Sequence, residues 1–546
     1  MKRDSGYIGI ILIIITALIL RVIFINKPDG LWNDEYISWM IAATPFQNGF
    51  WQGVKSQCHM PFYYLYLKFF MTFFGQNDIV LRLTSVLAGV LSVPVMYLLG
   101  QEKDKQTGLF CAGFTAISSF LIYYSQEVRF YSVLFLFSAL ALLYTIKTIK
   151  SPCKKNFILF AFFNFLIIFT HTIGFIFVFF NLIFLSICLY KQYKKVIITI
   201  WSCITAGSLF MLPLIIKIFT TQAFSQWWGS FSISRLGFLI TDYFSPVLTN
   251  LTNAPDKFFY NFTPAFLIFA IAPSLIAIVF IIKGLKNKIN IGLLSVAASV
   301  IAIMTIAAIS GKLVFITKYS IEIYPILIYI MCCGISEIKD QRLRSGLVIT
   351  YCILSLSYLI FNPVSAPKIR HSEGHKIATD LIKNAEPKKD DVILIEYYPQ
   401  NRFEKYFDFS SYRVVTIDKG NFYYYLSKGM TYNDALKNGK ELYKDMLSKE
   451  NDYLKEKIKN EITDGLKTGQ SVIMVTLDSV SFYEPEQISE ILSDKKVYNN
   501  APMLFLLFSH IKENSFNELA ETLPVTRVEK KGNWTLIKFT KLNKQG

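Results

Sequence analysis

The chain has 546 residues and a formal net charge of +17, with 53% hydrophobic and 17% charged residues. Soluble domains usually carry about 25% charged residues, so this composition excludes a soluble globular, a disordered and a fibrous protein. Residues 1–361 hold 28 Lys+Arg against 13 Asp+Glu, a net of +15, whereas residues 362–546 hold 28 against 26, a net of +2. The positive charge accompanies the apolar part, which indicates membrane topology and not nucleic-acid binding.

Apolar runs, taken in chain order, predict the membrane domain. A helix needs about 20 predominantly apolar residues to cross a bilayer. Eleven runs meet this need, over residues 7–25, 79–99, 108–124, 129–147, 157–171, 173–189, 196–216, 263–283, 290–310, 320–337 and 345–361. The sequence therefore predicts a polytopic α-helical membrane protein with about 11 transmembrane helices within residues 1–361.

Loop charge predicts the orientation of these helices. With the N-terminus in the cytoplasm, the inner segments carry 17 Lys+Arg and the longer outer loops carry 9. Positive charge is enriched on the cytoplasmic side of membrane proteins. We therefore expect a multi-pass protein of the inner (plasma) membrane, with a cytoplasmic N-terminus and an extracytoplasmic C-terminal domain. The long outer loop 26–78 contains amphipathic and aromatic pieces that are typical of helices lying in the interface plane.

The hydrophobic period changes after residue 361, where strand-like runs alternate with helical ones. A helix is predicted over 375–385, strands over 392–397, 411–418 and 471–479, and a closing hairpin over 526–542. This pattern predicts a soluble α/β domain in residues 362–546.

Ionisable side chains at or near membrane depth are candidates for function by default. In the predicted topology they share the outer face: Asp34, Glu35, His59, Arg82, Glu127, Arg129, His171, Lys318 and Glu322. Carboxylates and cations that meet beside aromatic interfacial helices suit a reaction on a lipid-borne phosphate, because cations bind the phosphate and a carboxylate activates a hydroxyl.

Most of these residues also have a structural interpretation. Asp34 and Glu35 fit the first turn of a helix, where acids cap backbone amides and complement the dipole. Arg82 and Lys318 fit snorkelling to the interface. Glu127 and Arg129 fit a local ion pair of little energy, and the histidines fit structural, acid–base or metal-binding roles.

Six ordered motifs resemble those of the integral-membrane GT-C glycosyltransferases, in the bacterial branch similar to protein O-mannosyltransferases and the lipid A aminoarabinose transferase. They are W-N-D-E at 32–35, H-M-P-F-Y-Y at 59–64, L-R-L-T-S-V-L-A-G-V-L-S-V-P at 81–94, Y-S-Q-E-V-R-F-Y at 124–131, T-H at 170–171 and K-Y-S-I-E-I-Y-P at 318–325. Two positions depart from the family pattern: Met60 replaces a proline, and Lys318 replaces an arginine that would bind phosphate with two parallel hydrogen bonds.

The resemblance implies a glycosyltransferase that takes a sugar from an undecaprenyl-phosphate-like polyprenyl-phosphate donor at the outer face. The acceptor is a hydroxyl of a glycolipid, a polymer or a protein, and the anomeric configuration inverts. The implied catalytic residues are Asp34, as the base, and Glu35. The implied phosphate-binding residues are Arg82, Lys318 and Arg129, and the implied supporting residues are His59, Glu127, Tyr319 and His171.

Two questions stay open at this point. The first is a divalent metal such as Mg²⁺ or Mn²⁺ near Asp34, Glu35 and His59. The second is the class of function, because a transporter or flippase for a lipid-linked sugar, or a non-catalytic lipid-binding member of the family, would present the same basic and aromatic surface. A transporter typically has internal repeats and broken helices at mid-membrane, and the sequence has neither feature.

Overall fold

The computed structural model describes most of the helical part and the central strands of the C-terminal part. The described residues are 4–23, 25–26, 30–56, 60–213, 216, 234–245, 267–310, 315–357, 375–397, 403–418, 452, 455–477, 517, 519–531 and 534–541. They fall into two compact units, each described by itself. The first comprises Met1–Asn26 and Asp34–Pro367, and the second comprises Lys27–Asn33 and Lys368–Gly546.

The described part of the first unit is helical. Its helices are α1 (Asp4–Val22), α2 (Asn33–Ala43), α3 (Phe50–Ser56), α4 (Phe62–Phe74), α5 (Asp78–Gln101), α6 (Lys105–Ile117), α7 (Ser119–Ser125), α8 (Tyr131–Lys150), α9 (Lys154–Thr170), α10 (Gly174–Phe210), α11 (Ser234–Phe244), α12 (Ala272–Gly284), α13 (Lys288–Ile309), α14 (Tyr324–Ser336) and α15 (Gln341–Leu356). Leucine, isoleucine and phenylalanine dominate these segments, and many of their side chains remain exposed, as suits helices that face lipid.

Five helices among the described residues are long and apolar enough to cross a membrane, or six if the bent pair α6–α7 forms one span. They begin at Asp78, Tyr131, Gly174, Lys288 and Thr317. Shorter apolar helices cover Ile8–Val22 and Ala272–Gly284. The protein is therefore a multi-pass membrane protein, and the count of eleven spans stays a prediction.

Three predicted runs differ in detail from the structure. The runs 173–189 and 196–216 lie largely within α10, where non-helical backbone angles at Tyr193 mark a kink between two helical segments. The run 108–124 is bent by 56° between α6 and α7. Hydropathy reports how apolar a segment is, and it does not report whether the backbone continues through a polar stretch or bends within an apolar one.

A buried arginine stabilises the bend between α6 and α7. Arg21 lies on α1 and is fully buried. Its guanidinium donates to the carbonyl oxygens of Thr115 (2.9 Å) and Ala116 (3.0 Å) and to Ser125 Oγ (3.2 Å). The last carbonyls of a helix lack intrahelical donors, so Arg21 satisfies the C-terminal end of α6 and joins three helices.

We expect Arg21→Leu to lower the free energy of unfolding by about 1–3 kcal/mol, because the α6 carbonyls would stay buried without donors. Thermal unfolding in detergent micelles measures this change. Leu18→Ala is the control, since Leu18 lies on the same helix with 45% of its side chain exposed. Equal losses in the two variants would contradict the capping role.

Close packing of α12 against α14 depends on two glycines. A side chain at Gly284 would overlap the carbonyl oxygen of Ile330, and one at Gly334 would overlap the carbonyl oxygen of Phe280. Small residues let helix backbones approach closely in membranes, where packing, and not the hydrophobic effect, drives association. Substitution at either glycine would separate the two helices.

The second unit contains a five-stranded sheet in the order β2-β1-β3-β5-β4. The strands are β1 (Val392–Tyr397), β2 (Arg413–Asp418), β3 (Ser471–Leu477), β4 (Val525–Lys531) and β5 (Trp534–Thr540), and helix α16 spans His375–Asn384. Strands β1, β2 and β3 pair in parallel, while β4 and β5 form an antiparallel hairpin that pairs with β3 through β5. The predicted helix, strands and hairpin are confirmed.

The core of the second unit lies between α16 and the sheet. Ile377 and Leu381 from α16 pack with Ile393, Ile473 and Trp534 from the strands, and all five are buried. Successive residues of β1 and β3, over Val392–Ile395 and Val472–Val475, are all buried. Both faces of these central strands are therefore covered, which explains their continuous apolar runs.

The second unit also includes the segment that leads into α2. The backbone amide of Leu31 donates to Tyr406 Oη at 2.8 Å. Gly30 has φ +81°, and a Cβ atom there would lie 2.6 Å from the same hydroxyl oxygen. Glycine is therefore required at position 30 both for its backbone conformation and for space.

Candidate functional site

Three segments of the first unit meet around the first turn of α2. This turn carries Asp34 and Glu35. The second segment is the turn 126–130, between α7 and α8, which contains Arg129. The third is the 3₁₀ segment Thr317–Ile323 before α14, which contains Lys318. Two predicted cations therefore lie beside the predicted pair of acids.

The Glu35 carboxylate is fully buried and accepts from three donors among the residues that the structure describes. Arg82 donates from Nε to Glu35 Oε1 at 2.8 Å and from Nη2 to Oε2 at 2.7 Å. The backbone amide of Val128 donates to Oε1 at 3.0 Å. Two-pronged arginine–carboxylate pairs are strong and directional. Glu35 and Arg82 therefore neutralise each other and fix α2 to α5 and to the turn 126–130.

Asp34, by contrast, has an accessible carboxylate between two cations. Its side chain is 27% exposed, and its Oδ2 lies 3.7 Å from Lys318 Nζ and 3.9 Å from Arg129 Nη2. These distances are longer than direct charge-assisted hydrogen bonds. The two cations are buried, with side-chain exposures of 10% for Lys318 and 5% for Arg129. Asp34 is thus a reachable acceptor with positive charge on both sides.

Arg129 is held by the backbone around it. Its Nη1 donates to the carbonyl oxygen of Asp34 and to Ser38 Oγ, both at 3.3 Å, and its own carbonyl oxygen accepts from Ser85 Oγ at 3.2 Å. Burial alone would lower the pKa of the guanidinium, but the Asp34 carboxylate and the neighbouring tyrosine hydroxyls together raise the pKa above its ordinary value. Arg129 is therefore a fixed positive charge.

Lys318 is positioned by contacts of its neighbours in the 3₁₀ segment. Thr317 Oγ1 donates to the Asp242 carboxylate at 2.7 Å. Tyr243 Oη donates to the Ser320 carbonyl oxygen at 2.7 Å. Both partners come from α11 and are buried. These bonds hold the backbone on either side of Lys318, so its ammonium group extends toward Asp34 from a rigid base.

Three aromatic rings, which we call the aromatic platform, lie against the two cations: Phe130, Tyr131 and Tyr319. Lys318 Nζ is 5.6 Å from the Tyr131 ring centroid and 5.5 Å from that of Tyr319. Arg129 Cζ is 5.1 Å from the Phe130 centroid and 6.0 Å from that of Tyr131. His171 stacks on Phe130 with ring centroids 4.7 Å apart.

The structure brings together some of the predicted site residues and separates others. Asp34, Arg129, Lys318, Tyr319 and His171 are linked by the contacts above. Arg82 lies with Glu35 and also donates to the carbonyl oxygen of Ile25 at 3.2 Å. Glu127 is buried in the turn 126–130, and His59 lies outside the described residues.

A metal at Asp34, Glu35 and His59 stays a prediction. Within the described ranges, no group of three or more His, Cys, Asp or Glu side chains is arranged to hold a metal ion. The Glu35 oxygens already accept from Arg82 and Val128, so Glu35 does not fit a metal ligand in this arrangement.

Sequence reasoning did not identify three residues of the site. Ser38 lies one helical turn after Asp34, at the i+4 position that shares a helix face with it. Phe130 and Tyr131 follow Arg129 directly and end the motif at 124–131, so the motif itself contained the signal for these two rings.

The sequence matches a protein family, and the fold is similar to solved structures. Residues 58–216 match the family described as dolichyl-phosphate-mannose-protein mannosyltransferase. The crystal structure of ArnT from Cupriavidus metallidurans in the apo state is 11% identical, with 98% of each chain covered and a TM-score of 0.50. The same protein bound to undecaprenyl phosphate gives the same identity, coverage and TM-score. No curated protein matches the sequence.

A third solved structure matches with a lower TM-score and a smaller coverage. The oligosaccharyltransferase of Archaeoglobus fulgidus, in complex with zinc and sulfate, is 13% identical, with 75% of this chain and 62% of that chain covered and a TM-score of 0.43. At 11% identity, the similarity to ArnT shows the fold alone. The similarity to ArnT extends over nearly the whole of both chains, through the helical part and the C-terminal part together.

Proposed function

We propose that this chain, a membrane glycosyltransferase of the GT-C superfamily in the branch of ArnT and the protein mannosyltransferases, transfers a sugar from a polyprenyl-phosphate donor to an acceptor hydroxyl with inversion. The observation that carries the proposal is the unequal state of two adjacent acids. Glu35 is buried and neutralised by Arg82, whereas Asp34 is accessible and flanked by two cations.

In the proposed reaction, Asp34 accepts the proton of the acceptor hydroxyl as the hydroxyl oxygen attacks the anomeric carbon. The new carbon–oxygen bond forms while the bond between the anomeric carbon and the phosphate oxygen breaks. One displacement of this kind inverts the configuration, and the bonding electrons leave with the phosphate. Base catalysis by a positioned carboxylate contributes typically about 10²- to 10⁴-fold in rate.

Lys318 and Arg129 stabilise the departing phosphate in this proposal. A leaving phosphate gains negative charge, and buried cations fixed in advance stabilise that charge more effectively than water does. Both cations lie within 4 Å of the Asp34 carboxylate, so the phosphate and the acceptor hydroxyl would meet across a short distance. We assign Arg82 to holding Glu35 and not to binding phosphate, because its guanidinium donates to Glu35 and to the carbonyl oxygen of Ile25.

The proposal also includes the donor, the orientation in the membrane and the two parts of the chain. ArnT has been crystallised with undecaprenyl phosphate, which supports a donor of that class here. We place the donor at the outer face of the inner membrane, with the N-terminus in the cytoplasm. We assign catalysis to residues 1–361 and place residues 362–546 outside the cytoplasm as a separate domain. The acceptor is a glycolipid, a polymer or a protein.

The proposal is tested by sugar transfer in membranes that contain the protein and labelled polyprenyl-phosphate sugars. We expect transfer of label to a hydroxyl-bearing acceptor, with inversion visible in the anomeric proton coupling of the product. Movement of the lipid across the bilayer without sugar transfer would indicate that the protein is a flippase and not an enzyme. Donor binding without transfer or movement would indicate a non-catalytic member of the family.

Lys318 provides a direct test of the phosphate-binding assignment. We expect Lys318→Met to lower kcat/KM for the donor about 10²-fold or more, because one of two fixed charges on the phosphate is lost. Lys318→Arg should keep most of the activity, since it restores the charge and adds donors. Steady-state kinetics at saturating acceptor measures both, and equal losses in the two variants would contradict a charge-based role.

A further inference from the structure

Among the residues that the structure describes, the two cations at the site share one carboxylate as a counter-ion. Lys318 and Arg129 are both buried, and both form their ion pairs with the same Asp34 oxygen. A buried charge is costly unless its surroundings stabilise it. If a second carboxylate supplied that stabilisation, it would also compete with a phosphate for the same cations.

Aromatic rings supply stabilisation of another kind. The negative face of a ring attracts a cation within about 6 Å of its centroid, and the attraction grows when water is excluded. Within the described residues, Tyr131 is the ring that lies within this distance of both cations, at 5.6 Å from Lys318 Nζ and 6.0 Å from Arg129 Cζ. Its side chain is fully buried at the start of α8.

We propose that Tyr131 is a positioning residue whose ring holds Lys318 and Arg129 in place, with Phe130 and Tyr319 completing the aromatic platform. The inference rests on the proposed function. A ring has no net charge, so it orients the two cations without neutralising them, and their charge remains for the phosphate of the donor. Tyr131 acts through the cations and does not contact the reacting atoms.

The ring, and not the hydroxyl, carries this role. Tyr131 Oη is buried and makes no hydrogen bond to any residue that the structure describes. The hydroxyl therefore adds no hydrogen bond to the site, and the two distances that carry the argument run from the ring centroid to positive charge. Phenylalanine retains the ring and removes the hydroxyl, which makes Tyr131→Phe the conservative variant.

The experiment compares Tyr131→Phe with Tyr131→Leu in the transfer assay. We expect Tyr131→Leu to raise the donor KM about tenfold, as the loss of a buried cation–π contact implies, while the acceptor KM stays unchanged. Tyr131→Phe should stay within about twofold of the wild type. Tyr351→Leu is the matched control, because Tyr351 is a buried ring packed on Phe114 with centroids 5.0 Å apart.

A second series keeps the test decisive if Tyr131→Leu does not fold. Phenylalanines with one, two and three ring fluorines are placed at position 131, since fluorine withdraws charge from the ring face and changes its shape little. Donor KM should rise with each fluorine.

The possible outcomes separate the two proposals. A flat fluorine series, or equal losses in Tyr131→Phe and Tyr131→Leu, would overturn the role of the ring. Absence of transfer by the wild type would instead refute the proposed function itself.

Discussion

Replacing Asp34 with asparagine is expected to abolish most sugar transfer, with kcat lowered about 10³-fold. Asparagine keeps the size of the side chain but does not accept a proton from the acceptor hydroxyl. Binding of the donor should persist, because Lys318 and Arg129 remain and lose an anion that competes with the phosphate. Transfer kinetics and direct binding of labelled donor, measured on the same membranes, check the two halves of this expectation.

A matched control exists in the second unit. Asp380 is a partly exposed carboxylate, 32% exposed, with Lys531 Nζ at 3.9 Å. Asp34 has nearly the same exposure and the same distance to Arg129. Asp380→Asn should therefore leave transfer unchanged. If Asp34→Asn retained wild-type kcat, Asp34 would not be the base.

Replacing Glu35 should chiefly lower the stability of the protein, because Glu35 is part of a buried ion pair and is not the proposed base. We expect Glu35→Ala to lower the free energy of unfolding by about 3–5 kcal/mol, because it leaves the Arg82 guanidinium buried without its anion. Asp34→Asn should cost far less, since Asp34 is partly exposed. Thermal unfolding in detergent micelles distinguishes the adjacent positions, with activity measured below the lowest unfolding midpoint.

A double variant isolates the pair itself. Glu35→Ala combined with Arg82→Met removes both charges, and an apolar replacement of a buried pair is often close to neutral. The double variant should therefore be more stable than Glu35→Ala alone. If the two losses simply added, Glu35 and Arg82 would not be energetically coupled, and the assignment of Arg82 to Glu35 would be wrong.

Much of the fold follows from local patterns that the sequence contains. The runs that form β1 and β3 are continuous and apolar because both faces of these strands are covered, and α2 begins at Asn33 with two acids in its first turn. The pairing of two adjacent acids with different partners does not follow from such patterns. Glu35 meets Arg82 across 47 positions of sequence, and only packing of α2 against α5 decides which acid turns inward.

The role of the aromatic platform likewise could not be predicted from local sequence patterns. Aromatic residues are abundant in this chain, with 48 Phe and 31 Tyr, so composition gives Tyr131 no distinction. Its importance comes from Lys318, which reaches the ring from a segment almost 190 positions later in the chain. Distances between segments of this kind are a property of the folded bundle and have no local signature.

The division of labour within the first turn of α2 has a consequence for how related sequences should vary. Neighbouring positions on a helix point about 100° apart. Asp34 and Glu35 therefore contact different partners, and substitutions at the two positions should be limited by different interactions. A change at position 35 alters the charge balance of a buried pair and should be accompanied by a change at position 82. A change at position 34 leaves Lys318 and Arg129 in place to bind the donor phosphate, and it should mark relatives that have lost the reaction while keeping the fold.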